Sequence, residues 1–101
     1  MSKQDYITNL LHLAFKAGKV KVGMSASCSS CLKNKAVLVV CALDISDNSK
    51  DKIERIARRQ NVKFLVYGDK NLYSGIFQRC VTGILSIEDK NFASGILKAL
   101  A

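Results

Sequence analysis

The sequence predicts an α/β protein: a three-layer α/β/α sandwich around a four-stranded mixed sheet. Helical and strand-like hydrophobic patterns alternate along the whole chain, which is typical of a sheet covered by helices on both faces. The segment Ala36–Leu43 is continuously apolar and rich in valine, as expected of a central strand buried on both sides. The 101 residues include no proline and no linker-like stretch, so residues 1–101 are expected to form one domain.

The first part of the chain predicts two helices and a short strand. Ser2 is expected to cap a first helix that ends near Gly18. Its apolar residues follow the i, i+3, i+4, i+7, i+8 spacing: Ile7, Leu10, Leu11, Ala14 and Phe15. A strand is expected at Lys19–Val22. A second helix then opens at the Gly23 turn and runs through Leu32, with Asn34 as its C-cap.

The segment Asp44–Ser49 is rich in turn-forming residues and is predicted to be a loop. Either Asn48 or Ser49 is expected to cap the third helix that follows. The inward-facing stripe of this helix is Ile53, Ile56, Ala57 and Gln60. Its basic residues fall mostly outside that stripe: Lys50, Lys52, Arg55, Arg58 and Arg59. We interpret this basic cluster as a solvated helix face.

The last part of the chain alternates in the same way. A strand is expected at Val62–Tyr67, followed by a helix that starts at Gly68-Asp69 and runs through about Phe77. The last strand is expected at Val81–Ile87. Asp89 is expected to cap a final helix, whose inward-facing residues are Phe92, Ile96, Leu97 and Leu100.

The net charge indicates the class of partner. Sixteen Lys and Arg residues oppose eight Asp and Glu residues, which gives a formal net charge of +8. A small domain this basic is expected to bind a polyanion, because neutralising phosphates releases counterions. A solubilising surface excess is the alternative explanation. The N-terminus has no apolar signal region, and no apolar run approaches ~18 residues, so we expect a cytoplasmic protein that does not contact membranes.

The four cysteines include a C-x-x-C pair, Cys28 and Cys31. A thioredoxin-like site places its nucleophilic cysteine at a helix N-terminus, whereas Cys28 falls inside the predicted second helix. A zinc site needs two further ligands. Cys41 lies in the predicted buried strand, and Cys80 is the remaining thiol. We predict free thiols that pack, with no metal and no cofactor; a redox or metal protein is the alternative.

No set of residues indicates catalysis. His12 is the single histidine, lies among leucines, and is expected to be a partly exposed helix residue. Turn chemistry suits Asp47, and the positive end of the third helix suits Asp51, without an acid-base role for either. There is no glycine-rich phosphate loop of recognised spacing. We therefore predict a non-enzymatic protein without catalytic residues.

Three segments resemble a known family. LLHLAFKAGKVKVG, ALDISDNSKDKI and EDKNFASGILKAL are similar to segments of the kink-turn RNA-binding ribosomal proteins, the L-seven-Ae and L-thirty-e type, in particular their small bacterial YlxQ-type members. The similarity spans essentially the whole chain in the same element order. It implies an α/β/α sandwich that binds structured RNA around the ribosome, without catalysis.

The resemblance also implies which residues contact RNA. In this family a glycine before the second helix opens a G-x-N-E-x-x-K signature that reads the sheared G·A pairs of a kink-turn. Gly23 matches the glycine, and Lys19 and Lys21 match its basic lead-in. Three small residues stand at the Asn, Glu and Lys positions of the signature, in that order: Ser25, Ala26 and Ser29. Further RNA-facing positions correspond to Lys33, Gln78, Arg79 and Cys80.

These substitutions imply an altered base-reading signature, with RNA held mainly through the flanking lysines. The expected partner is structured RNA, either ribosomal RNA or a kink-turn, bound by a monomer in contact with the ribosome. The alternative is a protein-interaction module that kept the fold and lost RNA binding. Tyr73 and Phe77 either stack on exposed bases or line the core, and the core is the favoured interpretation.

Overall fold

The computed structural model describes residues 2–78 and 83–100, which form five helices and four strands in alternating order. In chain order these elements are α1 Lys3–Lys16, β1 Val20–Val22, α2 Met24–Leu32, β2 Leu38–Cys41, α3 Asp47–Arg59, β3 Lys63–Val66, α4 Lys70–Phe77, β4 Ile84–Ile87 and α5 Lys90–Leu100. The first residues of the predicted last strand, Val81 and Thr82, lie outside the described residues. The predicted alternation of helices and strands is confirmed.

The four strands form one mixed sheet in the order β1-β4-β2-β3. β2 and β3 run parallel, and β4 lies between β1 and β2, antiparallel to both. Ile87 of β4 pairs with Val20 on one side and with Leu38 on the other. β1 and β3 are the edge strands. The predicted fold class, an α/β protein with a four-stranded mixed sheet, is confirmed.

Two hydrophobic layers cover the sheet, because successive side chains of a strand point to opposite faces. Leu38 and Val40 of β2 belong to the layer that also holds buried residues of α1, α4 and α5. Val39 and Cys41 belong to the layer under α2 and α3. All four side chains are buried, and Cys41 is completely inaccessible. The prediction of a central strand buried on both faces is confirmed.

Tyr73 and Phe77 of α4 belong to the core. Tyr73 is completely buried and Phe77 is 4% exposed. Their rings stack with centroids 6.4 Å apart, and Phe77 also packs against Phe15 at 4.8 Å. The Tyr73 hydroxyl donates a hydrogen bond to the carbonyl oxygen of Tyr67, and burial raises the pKa of Tyr73. Neither ring is available to stack on a base, so the core interpretation is confirmed.

Side-chain caps fix where several helices begin. The Ser2 hydroxyl accepts the Asp5 N–H at 3.1 Å, as predicted for α1. Asp69 caps α4 by accepting the Leu72 N–H at 2.8 Å. The Asp89 carboxylate accepts the Phe92 N–H at 3.1 Å at the start of α5. Each cap satisfies an N–H group that has no partner within its own helix.

The cap predicted for α3 is wrong. Neither Asn48 nor Ser49 is the N-cap; Ser46 has that role, because its hydroxyl accepts the Ser49 N–H at 3.2 Å. The helix therefore begins two residues earlier than an Asn48 cap implies, with Asp47 in its first turn near the positive helix end. Asn34 is likewise not the C-cap of α2: Lys33 is, and Asn34 follows it with a left-handed φ of 59°.

The strands are shorter than predicted: β1 begins at Val20 rather than Lys19, and Gly83 precedes β4 instead of belonging to it. β2 covers only Leu38–Cys41 of the predicted Ala36–Leu43, and the chain turns at Leu43 and Asp44. Leu43 is consequently 71% exposed rather than part of a buried strand. β3 is shorter than the predicted Val62–Tyr67 by one residue at each end.

The basic face of α3 is solvated, as predicted. Ile53 and Ala57 of the predicted stripe are buried, whereas Lys52, Arg55 and Arg59 are exposed. Arg58 also lies on this face, and its guanidinium forms an ion pair with the Glu54 carboxylate at 2.6 Å. An exposed i,i+4 pair of this kind contributes only about 0.3–0.5 kcal/mol.

None of the helices in residues 2–78 and 83–100 combines the length and the apolar character that crossing a bilayer requires. α1 is the longest of them, with 14 residues. A transmembrane helix needs about 20.

Candidate nucleic-acid interface

The turn at Gly23 positions α2 beside the edge strand β1. Its φ of 105° lies in the region that L side chains rarely adopt, so glycine is needed even though a Cβ there would meet nothing within 4 Å. The Gly23 N–H donates to the carbonyl oxygen of Ile84 at 2.7 Å, which ties the start of the helix to β4. Gly23 is the N-cap of α2 and provides no side-chain acceptor for the first-turn N–H groups.

The small residues of α2 divide between two helix faces. Ser27, Ser30 and Cys31 are buried, and the Ser27 hydroxyl donates to the carbonyl oxygen of Lys21 at 3.5 Å. The remaining small residues belong to the accessible side: Ser25 is exposed and Ala26 and Ser29 are half-buried. The positions that correspond to the family signature therefore face solvent rather than the core.

Glu88 joins the end of β4 to α2. The Ser30 hydroxyl donates to its carboxylate at 2.5 Å, and the Glu88 N–H donates to the carbonyl oxygen of Lys19 at 2.7 Å. A hydrogen bond to an ionised group is stronger than one between neutral partners. These two bonds hold β4, α2 and the start of β1 together at this edge of the sheet.

A groove of about 290 Å³ lies between α2 and this sheet edge. We call it the lysine groove; it is lined by Lys21, Ala26, Ser29, Ser30, Lys33, Lys35 and Glu88. All three lysines are exposed. Within the described part of the chain, none of them forms an ion pair within 4 Å. Three cations and one carboxylate, which already accepts a hydrogen bond from Ser30, leave the groove positively charged.

The lysine groove brings together four of the residues predicted from sequence: Lys21, Ala26, Ser29 and Lys33. Lys19 lies beside it, through the backbone bond to Glu88. Ser25 and Gly23 lie at the first turn of α2, outside the groove lining.

The predicted second RNA-facing loop is only partly described. Gln78 is the left-handed C-cap of α4, and it lines a different cleft, between α1 and α4. Arg79 and Cys80 lie outside the described residues. The structure therefore does not place Gln78 in the lysine groove.

Three groove residues were missed from the sequence: Ser30, Lys35 and Glu88. The position of Lys35 could have been inferred from Asn34. Asparagine tolerates the left-handed conformation that reverses the chain after a helix, so the residue that follows it is expected to fold back toward α2. That reversal lets the Lys35 N–H bond back to the carbonyl oxygen of Ser30 at 2.9 Å. Glu88 is 58 residues from Ser30 in sequence, and only the sheet register brings them together.

The cysteines of the C-x-x-C pair lie inside α2, not at its first residues. The Cys28 Sγ lies 3.6 Å from the Sδ of Met24, and Cys31 is completely buried. Burial, together with the neighbouring Cys28, raises the pKa of Cys31, and burial raises that of Cys41 to about 11. Both buried thiols are therefore poor nucleophiles near neutral pH.

In residues 2–78 and 83–100, no group of three or more His, Cys, Asp and Glu side chains is placed to hold a metal ion. His12 is half-buried on α1, as predicted. That the thiols are free of metal under cellular conditions stays a prediction.

Two solved structures show the same fold at low sequence identity. A protein of unknown function from Bacillus halodurans matches with a TM-score of 0.86 and 16% identity over 94% of this chain and 95% of that one. The Giardia lamblia 15.5kD RNA binding protein matches with a TM-score of 0.76 and 17% identity over 99% of this chain and 87% of that one. No curated protein sequence gives a significant match.

A family model covers most of the chain. The model of the Ribosomal protein L7Ae/L30e/S12e/Gadd45 family matches residues 5–94. This range includes all of α2 and every residue that lines the lysine groove. It agrees with the resemblance found in the three sequence segments. The chain belongs to the Ribosomal protein L7Ae/L30e/S12e/Gadd45 family.

Proposed function

We propose that this protein is a non-enzymatic RNA-binding protein that holds structured RNA in and around the lysine groove. The observation that carries the proposal is the position of that groove. It lies on the accessible side of α2, the helix that carries the positions of the family's signature, and the three lysines that line it have no ion-pair partner within the described residues. Family membership and the RNA-binding protein of the same fold support RNA as the partner.

The proposed mode of binding depends more on charge than on base identity. Lys21, Lys33 and Lys35 would contact backbone phosphates, which position a protein on RNA without reading its sequence. Ser25 and Ala26 lack the amide and carboxylate that read G·A pairs in the family. The protein therefore binds kink-turns and other structured RNA with relaxed selectivity. We further propose that it acts as a monomer in the cytoplasm, in contact with the ribosome and its RNA.

A protein-interaction module on the same fold is the rival proposal. Leu32 of α2 is 59% exposed, which is compatible with a protein contact beside the groove. Single exposed leucines are common on protein surfaces, however, and do not mark an interface by themselves. The positive charge of the groove favours a polyanion over an apolar partner surface.

Rebuilding the signature tests the proposal. We expect Ser25→Asn, Ala26→Glu and Ser29→Lys, made together, to raise selectivity for a kink-turn over a duplex by about 1–3 kcal/mol per good base contact, by analogy with groove readout in DNA. The three positions are exposed or half-buried, so larger side chains fit without entering the core. The change adds one negative and one positive charge, so net charge is unchanged. Filter binding with both RNAs measures the effect.

The matched control carries the same three side chains in the wrong order: Ser25→Lys, Ala26→Asn and Ser29→Glu. Its charge and composition equal those of the rebuilt variant, so it is expected to gain no selectivity. If the rebuilt variant also gains none while still binding RNA, α2 is not the base-reading surface of this protein.

A further inference from the structure

A second concave site lies on the opposite face of the sheet, between α1 and α4. This cleft has a volume of about 390 Å³, within the range of about 300–1,000 Å³ typical of small-molecule sites. We call it the amide cleft; it is lined by Thr8, Asn9, His12, Asn71, Leu72, Gly75, Ile76 and Gln78. None of these residues lines the lysine groove, so the two sites are separate.

The lining of the amide cleft suits a neutral planar ligand. Its lining includes the side-chain amides of Asn71 and Gln78, the Thr8 hydroxyl and the His12 imidazole, which together offer hydrogen-bond donors and acceptors. Among the described residues of its lining there is no Lys, Arg, Asp or Glu to attract a phosphate or a cation. Leu72 and Ile76 add apolar surface for the face of a ring. A nucleobase combines such a face with an edge of donors and acceptors.

Gly75 in this lining has no structural explanation. It lies within α4, where glycine is less favourable than alanine, and its φ is not positive. A Cβ at this position would meet nothing within 4 Å. Gly95 of α5 differs, since a Cβ there would lie 3.0 Å from the Leu10 side chain. Because glycine has no side chain, position 75 leaves this part of the cleft open, and a ligand can approach the helix backbone closely.

The cleft lies within reach of RNA bound near α2. Gln78 is one of its lining residues and is six positions before Ile84, whose carbonyl accepts the Gly23 N–H. Six residues of fully extended chain span at most about 20–22 Å. An RNA that extends from the lysine groove along α2 to the start of that helix therefore needs only a few further nucleotides to reach Gln78.

We propose that the amide cleft receives an unstacked nucleobase, presented by RNA that is held at the lysine groove. The inference rests on the proposed function for the source of the base. A free nucleoside carries the same base as RNA, so the experiments below test both RNA and free nucleosides as the source of the base. The cleft adds a contact to unpaired nucleotides that a fully paired duplex cannot make.

The test fills the cleft from Gly75. Gly75→Leu places a side chain in the open space, and Ser94→Leu adds the same side chain at an exposed position of α5 that lines neither site. Fluorescence anisotropy compares a labelled hairpin that has an unpaired loop with a blunt duplex of equal charge. We expect Gly75→Leu to weaken binding of the hairpin about 5- to 100-fold, the range of one lost base contact. Binding of the duplex and all binding by Ser94→Leu should be unchanged.

Two further variants keep the test decisive. Gly75→Ala should raise the melting temperature by about 2–8 °C, because alanine is the better helix former. Asn71→Ala removes one lining amide without adding bulk and should weaken hairpin binding if Gly75→Leu does not fold. Unchanged hairpin binding by folded Gly75→Leu, or equal weakening with both RNAs, would overturn the amide cleft and leave the lysine groove standing.

If the unmodified protein binds no RNA, the proposed function fails and free nucleosides decide the inference. Adenosine, guanosine, cytidine and uridine are titrated while the amide NMR signal of residue 75 is followed. A saturable shift, absent from Asn71→Ala, would retain the cleft as a nucleobase site. No shift with any of the four would overturn it.

Discussion

Replacing Lys21, Lys33 and Lys35 together with glutamine is expected to weaken RNA binding about 10²–10³-fold at about 0.1 M salt. Each lysine lies at the groove, is exposed and lacks an ion-pair partner within the described residues, so each is available to a phosphate. A phosphate contact releases counterions, and its loss lowers the slope of log affinity against log salt by about 0.7–0.9. Three lost contacts should therefore flatten the slope by about 2–3 units.

The matched control removes equal charge from α3. Lys52, Arg55 and Arg59 are exposed on its solvated face, and none of them lines the lysine groove. Their replacement with glutamine should weaken binding only a few-fold, through the lower net charge. Equal losses in the two triple variants would mean that affinity follows net charge rather than the groove. Circular dichroism checks that both variants are folded.

Replacing Tyr73 with alanine is expected to destabilise the protein by about 3–5 kcal/mol, the usual cost of truncating a buried aromatic residue. Tyr73 is completely buried, stacks on Phe77 and donates to the Tyr67 carbonyl, so alanine leaves a cavity and a carbonyl without its partner. Small domains are stabilised by about 5–15 kcal/mol in all. Urea unfolding followed by circular dichroism measures the loss.

Two controls separate packing from an RNA contact. Tyr6 is 45% exposed, and Tyr6→Ala should change stability by no more than about 0.5 kcal/mol. Tyr73→Phe keeps the packing and should cost only about 1–3 kcal/mol for the unpaired carbonyl. Its affinity for RNA should be unchanged. If folded Tyr73→Phe selectively lost RNA binding, the Tyr73 hydroxyl would contribute to RNA binding in addition to its structural hydrogen bond with the Tyr67 carbonyl.

Much of the fold could be predicted from local pattern. The apolar spacing in α1 and the continuous run around β2 each depend on a periodicity that the sequence displays directly. Element ends were less predictable, because several candidate caps stood close together. Ser46, Asn48 and Ser49 are all good N-cap residues, and only the hydrogen bond from the Ser49 N–H identifies Ser46.

The predicted ends of the strands were wrong for a different reason. Apolar character continues to Leu43, but the ladder stops at Cys41, and the chain turns at Leu43 and Asp44. Composition cannot show that turn, since Leu43 has the same chemistry as the strand before it. The error of two residues places one large apolar side chain on the surface instead of in the core.

The candidate site was predictable only along α2. Lys21, Ala26, Ser29 and Lys33 lie close in sequence, so the resemblance to the family could place them together. Glu88 depends on the pairing of β4 between β1 and β2, which no local pattern specifies. The amide cleft likewise joins α1 to α4 across more than fifty residues, through tertiary packing alone.

The most direct test of the central claim, that the lysine groove holds RNA by charge with little base reading, is a salt-titrated filter-binding measurement on the unmodified protein. Its three RNAs are a kink-turn, the same RNA with its G·A pairs disrupted, and a plain duplex. The account predicts affinities within about tenfold of one another and similar linear declines between about 50 and 200 mM salt. A kink-turn bound far more tightly than its disrupted version, with little salt dependence, would contradict it.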